Sequence, residues 1–321
     1  MRAVVYDRYG GPEQLRVEDA PVPTPRTGEV LVQVVATGVN LSDWEALRGS
    51  PAYARLGGLT RPRRRTLGSD IAGRVAALGP GSTRFRVGDE VFGDVLMRKG
   101  GFAEYAIAGE GELALKPPSL SFIEAATIPQ SGAIALQAVA HAEAGDRMLV
   151  NGSGGGTGMF ALQLARSAGV VVTGVDNAAK LEFMRSMGAD SVIDYRTEDF
   201  TRTGPYDLII DLVASRSVYA YRRALAARGR YFIVGGTVRA LLRIVTIGAL
   251  IGAVSGRRLG VLAVRQGPPH FAPLVERCAS GEVRISIDPV FPLDQTPAAL
   301  ARVGTGQALG KVVVAVQTAA G

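Results

Sequence analysis

The thirty residues from Arg147 to Asp176, RMLVNGSGGGTGMFALQLARSAGVVVTGVD, restrict this chain more than any other segment. An apolar run leads into a glycine-rich turn, an amphipathic helical pattern, a second apolar run and a terminal acid. That order predicts strand, turn, helix, strand, the unit from which parallel sheets are wound. It also predicts a dinucleotide site. Small residues let the backbone approach a pyrophosphate, and the helix N-terminus offers free N–H groups and the positive end of its dipole. The final carboxylate can accept from a ribose hydroxyl. The G-x-G-x-x-G spacing is not literal. Its best register is Ser153, Gly155 and Gly158, with Asp176 eighteen residues past Gly158.

Bulk properties narrow the alternatives. The 321 residues are enough for two domains, each with its own core. Cys278 is the single cysteine, so an internal disulfide and a four-cysteine zinc lobe are both excluded. MRAVVYDRYG runs directly into a strand-like segment with no signal-peptide pattern, which predicts a cytoplasmic protein. The apolar stretch Ile244–Val254 is about half the roughly 20 residues that a membrane span requires, so no membrane partner is expected. A formal charge of +7 and a pI near 9.8 would suit nucleic acid. The basic residues are scattered, however, and apart from Lys99, Lys116, Lys180 and Lys311 all are arginine. With no interleaved aromatics, nucleic acid is not an expected partner. The one cluster is Arg61-Pro62-Arg63-Arg64-Arg65, either a solvated loop or a landing site for an acidic partner, such as a carrier protein, or for a phosphate-bearing substrate.

Residues 1–121 read as short strands with dense turn signals, among them Leu31–Ala36, Ile71–Leu78, Val87–Gly93 and Gly101–Ile107. From residue 122 the period changes. Helical patterns at Phe122–Thr127 and Gly132–Ala142 precede an alternation of strands (Met148–Asn151, Val170–Val175, Ser191–Tyr195, Tyr206–Leu212, Tyr231–Val234) with helices. Leu259–Val264 reads as a sixth strand, and strands near Ile285–Phe291 and Lys311–Val316 return to β character. The expected fold is therefore α/β. A mostly antiparallel β domain takes residues 1–121 and 268–321, and a doubly wound parallel-sheet domain takes 122–267. Thr237–Gly256 is either one amphipathic helix covering the sheet or an apolar lid over a substrate.

Taken together, these motifs resemble the medium-chain dehydrogenase/reductase superfamily, in its zinc-free quinone oxidoreductase (zeta-crystallin-like) branch. The resemblance covers essentially the whole chain. It rests on Ala36-Thr37-Gly38-Val39-Asn40-Leu41-Ser42-Asp43-Trp44, Gly68-Ser69-Asp70-Ile71-Ala72-Gly73, Gly88-Asp89-Glu90-Val91-Phe92-Gly93 and Gly100-Gly101-Phe102-Ala103-Glu104-Tyr105. Later matches are Gly155-Gly156-Thr157-Gly158, Met187-Gly188-Ala189-Asp190, Ile193-Asp194-Tyr195 and Gly310-Lys311-Val312-Val313. It implies a GroES-like catalytic domain and a Rossmann domain. Zinc-dependent relatives place cysteine where this chain has Asn40, histidine at Ser69 and a cysteine near Ser131. Catalytic zinc needs about three thiolate, imidazole or carboxylate ligands. Only His141 and His270 exist elsewhere, neither with a cysteine or acid at ligand spacing, so no metal site is expected.

Without zinc, the resemblance implies hydride transfer from NAD(P)H to a quinone or to the β-carbon of an α,β-unsaturated carbonyl. Asn40 is the first candidate for holding the nicotinamide ribose or the substrate oxygen, the alternative being an amide that satisfies a turn. Ser131 and Asp43 follow. Glu45 stands where relatives often have tyrosine, lysine or histidine, and an exposed glutamate would be ionised at neutral pH. Ile134 replaces a common threonine. On the cofactor side Ser153, Gly155, Gly156, Thr157 and Gly158 are expected to wrap the pyrophosphate, with Lys311 reaching the same phosphates. Tyr195 would border the adenosine, and Val213, Ala214, Val234, Gly235 and Gly236 would line the nicotinamide end. Asp176 favours NADH over NADPH by repelling a 2′-phosphate, with Lys180 close enough to offset part of that repulsion. A homodimer through Leu259–Val264 is expected. Two other readings stand beside the leading one: a biosynthetic enoyl or tailoring reductase of a carrier-bound or polycyclic intermediate, and a nucleotide-binding scaffold that has lost catalysis.

Overall fold

The computed structural model describes residues 1–317. Seven strands come first: β1 (Arg2–Val5), β2 (Arg16–Asp19), β3 (Glu29–Val39), β4 (Asp70–Leu78), β5 (Glu90–Asp94), β6 (Tyr105–Gly109) and β7 (Leu113–Leu115). Six more follow among helices: β8 (Arg147–Asn151), β9 (Val171–Asp176), β10 (Ser191–Asp194), β11 (Tyr206–Asp211), β12 (Leu225–Ile233) and β13 (Arg258–Val261). The last two are β14 (Ile287–Pro292) and β15 (Lys311–Ala315).

Contacts divide the chain into one unit of Met1–Ala133 with the residues from Arg265 onward, and a second of Ile134–Val264. These divisions differ from the expected 121/122 and 267/268. The helix Phe122–Ala125 packs on β3 and β4, and the Gln130 N–H donates to the Asp70 carboxylate, so both stay with the β unit. In that unit seven strands form one sheet, β14-β15-β3-β4-β5-β7, with β6 also paired to β3. Every pairing is antiparallel except β14 with β15. β3 is the axis of the sheet. Its Val30, Val32 and Val34 lie on one side in a core with Ile71, Val75, Phe85 and Val91, as a period of two dictates.

The second unit is a six-stranded parallel sheet in the order β10-β9-β8-β11-β12-β13. Strand order runs outward in opposite directions from β8 and β11. Such a switch point leaves a crevice at the carboxyl ends of the strands. Tyr206, Ile209, Tyr221, Tyr231 and Ile233 fill the core on one sheet face.

Residues Val238–Ser255 correct one expectation. They form a helix of 18 residues with mean hydropathy 1.8, so length and composition do match a membrane span. The helix joins β12 to β13, which are hydrogen-bonded neighbours in the same sheet, so it cannot cross a bilayer while that sheet is intact. It covers the sheet with one side only: Ile244 and Ile251 join the core and Ala240, Leu241 and Ile247 pack against it, while 17% of the helix is buried. Ile244, Gly248 and Ile251 face inward, and a π turn spans Ile244–Gly248.

Candidate active site

In the β unit five separate stretches converge on one buried polar cluster. Asn40 follows β3 and caps the helix Leu41–Arg48, whose Asp43 carboxylate accepts from the Asn40 N–H at 3.1 Å. The same carboxylate accepts from Gly68 N–H (3.3 Å), Ser69 Oγ–H (3.3 Å) and Lys99 Nζ (3.0 Å). Asp43 is therefore a fully buried hub that ties a helix to two loops. Asn40 Nδ2 donates to Ser69 Oγ at 3.0 Å, and Asn40 Oδ1 accepts from Lys311 Nζ at 2.7 Å. Lys311 also donates to Ser131 Oγ (3.3 Å) and lies 3.5 Å from Asp70 Oδ2. Asn40, Asp43 and Ser131 thus lie in one cluster. Of the additional members, Ser69 is marked in the sequence only as the place of a zinc-ligating histidine in relatives, Asp70 only as part of a glycine-containing motif, and Lys99 by no motif.

Lys311 is a correction. It was expected at the cofactor phosphates, but its side chain is 2% exposed and its ammonium is committed to Asn40, Ser131 and Asp70. Burial holds the Lys311 pKa below that of a free lysine, while Asp70 and Asp43 pull it back up. Burial raises Asp70, with Lys311 opposing. Asp94, on the strand beside Asp70, is pushed up by burial and then by the Asp70 charge.

Glu45 is a second correction. Instead of being exposed and ionised it is half-buried, and burial raises its pKa to about 7, with the Tyr53 hydroxyl 3.5 Å away opposing the rise. It keeps a proton well into the neutral range. Among the described residues no group of three or more histidine, cysteine, aspartate or glutamate side chains could hold a metal ion.

In the parallel-sheet unit the predicted strand–turn–helix is present as β8, a loop at 152–155, and the helix Gly156–Ser167 with Gly155 as N-cap. Three glycines serve local packing. Gly152 has φ +89°, which a side chain would strain. A Cβ on Gly158 would lie 2.2 Å from Ser153 Cα, and one on Gly154 would lie 2.3 Å from Lys180 Cδ. Gly155 differs, since a Cβ there would meet nothing nearer than 3.9 Å. Gly156, Thr157 and Gly158 form the first helical turn, whose N–H groups have no intrahelical acceptors. Free amides at a helix N-terminus beside open space fit a pyrophosphate.

Ser153 behaves otherwise than expected. Its N–H donates to Val175 O, and its fully buried hydroxyl contacts Met184 Sδ at 2.7 Å. It fastens the loop to β9 and presents no polar side-chain atom to a ligand. Asp176, at the end of β9, is also engaged. Its Oδ2 accepts from Gly154 N–H (3.1 Å) and Lys180 Nζ (3.4 Å), and its Oδ1 from Asn177 N–H (2.8 Å). Tyr195 is exposed at the end of β10, its N–H donating to Asp176 O.

Val213 and Ala214 form the turn after β11, while Val234, Gly235 and Gly236 follow β12. A Cβ on Gly236 would approach Ala214 Cβ to 3.1 Å, so the two turns are neighbours. Asp211, which sequence reasoning missed, ties the first of these turns to β8 and β12. Its Oδ1 accepts from Asn151 Nδ2 (2.8 Å), Val213 N–H (3.0 Å) and Ala214 N–H (2.8 Å), and its Oδ2 from Tyr231 OH (2.9 Å). The acid at the carboxyl end of a predicted strand was the available clue.

Comparison with known proteins agrees with this architecture. Residues 26–118 match the alcohol dehydrogenase GroES-like domain, and residues 187–314 match the zinc-binding dehydrogenase family. The chain is 30% identical to the quinone-oxidoreductase QR1, chloroplastic, of Triphysaria versicolor over 329 residues, covering 98% of each chain. It is 31% identical to the 2-methylene-furan-3-one reductase of Solanum lycopersicum over 333 residues, covering 98% of this chain and 79% of that one. The solved structure of the quinone oxidoreductase from Coxiella burnetii superposes with a TM-score of 0.89 at 29% identity, covering 99% of each chain.

Proposed function

The chain belongs to the medium-chain dehydrogenase/reductase superfamily as an oxidoreductase that binds a pyridine nucleotide, and from that premise we propose that it reduces quinones or α,β-unsaturated carbonyls without zinc. The supporting observation is the Asn40–Ser69–Lys311 arrangement. At two positions where zinc-dependent relatives keep a thiolate and an imidazole, this chain has an amide and a hydroxyl bonded to each other. A buried ammonium holds the amide oxygen. Amides and hydroxyls are poor zinc ligands.

When bound, the nicotinamide supplies the hydride. Gly155, Gly156, Thr157 and Gly158 would hold its pyrophosphate, with Tyr195 at the adenosine and the turns at 213–214 and 234–236 at the other end. A conjugated acceptor spreads its developing charge, so positioned hydrogen bonds replace Lewis-acid help. Lys311 and Ser69 lock the Asn40 amide in one orientation, which is what a positioning group needs. Glu45, on the next helix, carries a transferable proton near neutral pH. Asp176 keeps NADH preferred over NADPH, although Lys180 offsets part of its charge.

The outer edge of β13 has no strand partner among the described residues, and a second copy of this chain is the proposed partner there. A second substrate reading, an intermediate carried on an acidic protein, draws on the loop at Arg61–Arg65. Arg65 is tied to Asp7 and Glu18, whereas Arg61, Arg63 and Arg64 are exposed with no acidic partner among the described residues.

The test is steady-state oxidation of NADH and NADPH with a simple quinone, a simple enone and a thioester-linked enoyl substrate, before and after chelation. Turnover of the first two, unchanged by chelator and with far less than one zinc per chain, is expected. Stoichiometric zinc with loss of activity on its removal overturns the zinc-free reading. Absence of turnover with all three acceptors overturns the reductase.

A further inference from the structure

We propose that the helix Val238–Ser255 docks this protein on an anionic phospholipid surface, lying in the headgroup region with its outer apolar face down. Three observations carry the proposal. The first is the face itself. Leu242, Val245, Leu250 and Val254 are 59%, 60%, 69% and 85% exposed. With Val238 and Ala249 they recur at helical spacing, opposite Ile244, Gly248 and Ile251, which pack inward. The helix therefore has two apolar faces and only one is covered.

The second is charge. Between Leu212 and Val275 the chain carries ten arginines and no aspartate, glutamate or lysine. Arg239 and Arg243 sit one turn apart on the helix, exposed and without an acidic partner among the described residues. A two-fold contact of this face with itself would bring arginines against arginines or against apolar side chains, with no counter-charge in the segment to pair them. An anionic leaflet supplies that counter-charge.

The third is a cavity of about 170 Å³ beside the first turns of the helix. Arg216, Arg239 and Arg243 line it with Ser215, Ser217 and Thr237, beside apolar and aromatic side chains that include Tyr221, Tyr231, Ile233 and the Ala214 of the turn after β11. Arg216 is held at Tyr195 O and over the Phe200 ring, which leaves Arg239 and Arg243 as the exposed cations for a phosphate, and the space is well below the roughly 300–1,000 Å³ of a site for a whole cofactor or drug-sized molecule. We assign it to a lipid headgroup phosphate. Because β12 and β13 are hydrogen-bonded neighbours, the helix lies on the membrane rather than crossing it.

Flotation of the full chain with phosphatidylcholine vesicles, with and without phosphatidylglycerol, tests this directly. Binding is expected only to the anionic vesicles and should weaken as salt is raised. Arg239→Gln with Arg243→Gln should weaken it about 30-fold, from about fivefold per arginine at an anionic leaflet. Leu242→Ser with Leu250→Ser should abolish it. Both double variants should keep the parent's melting temperature and its turnover of a water-soluble quinone, so the outcome does not depend on the reaction proposed above. No binding to anionic vesicles, or equal binding to neutral ones, overturns the proposal. So does loss of self-association in the leucine variant without vesicle binding, which assigns the face to a second copy. Inorganic phosphate bound at the cavity by a protein that ignores vesicles overturns it too.

Discussion

The glycine loop of the parallel-sheet unit is made of backbone, whereas the polar cluster of the β unit is made of side chains drawn from five stretches of chain. The loop owes its shape to what is missing: Cβ atoms at Gly154 and Gly158 would strike neighbours, and at Gly155 there is room for a ligand. The cluster owes its shape to complete pairing, and among the described residues every buried side-chain nitrogen and oxygen has a partner. A backbone device tolerates changes in charge and fails on added volume. A side-chain device does the opposite.

The largest effect should come from breaking the cluster's charge. Lys311→Met leaves Asp70 buried and unpaired, and should cost about 3–5 kcal/mol in chemical denaturation. Adding Asp70→Asn should recover part of that loss. Unchanged stability together with a raised KM for the nucleotide would return Lys311 to the phosphates and erase the contrast.

Volume is the complementary probe. Gly158→Ala should cost about 1–3 kcal/mol, because backbone atoms must move to admit the methyl group. Gly155→Ala should leave the melting temperature close to the parent's while weakening the nucleotide about tenfold, or ~1.4 kcal/mol. If both variants lose stability equally, Gly155 is a packing residue and the open space is not a ligand site.

Acidity sharpens the comparison further. For Glu45, raised from 4.5 to about 7, the stability carried by the neutral carboxyl is complete below about pH 4.5 and lost as pH rises through about 7. Glu45→Gln cannot ionise. Relative to the parent it should gain about 1–2 kcal/mol between about pH 5 and about pH 8, measured by denaturation at each pH. A pH-independent difference would mean that Glu45 is ionised throughout.

The smallest expected effect concerns cofactor choice. Asp176→Ser frees Lys180 and removes a negative charge, and should shift the ratio of kcat/KM for NADH over NADPH toward NADPH on the order of tenfold, ~1.4 kcal/mol. An unchanged ratio would mean that Asp176 serves only Gly154, Lys180 and Asn177.

Local patterns determined the element order, the parallel sheet, the mostly antiparallel β unit and the glycine loop. In each of these a short stretch contains its own instructions: a period of two or 3.6, or glycines before a helix. The placement of the charged and polar side chains was decided only by tertiary structure. Nothing near Lys311 in sequence announces Asn40 or Asp70, and the ammonium is buried because β15 lies beside β3. Burial of Glu45, the inward turn of Ser153 and the grip of Asp211 on the 213–214 turn and its two neighbouring strands arise in the same way, since desolvation and pairing depend on what the rest of the chain brings near. The helix Val238–Ser255 shows the same division. Its apolar residues foretold a helix, but which of them the sheet would cover was settled only by packing.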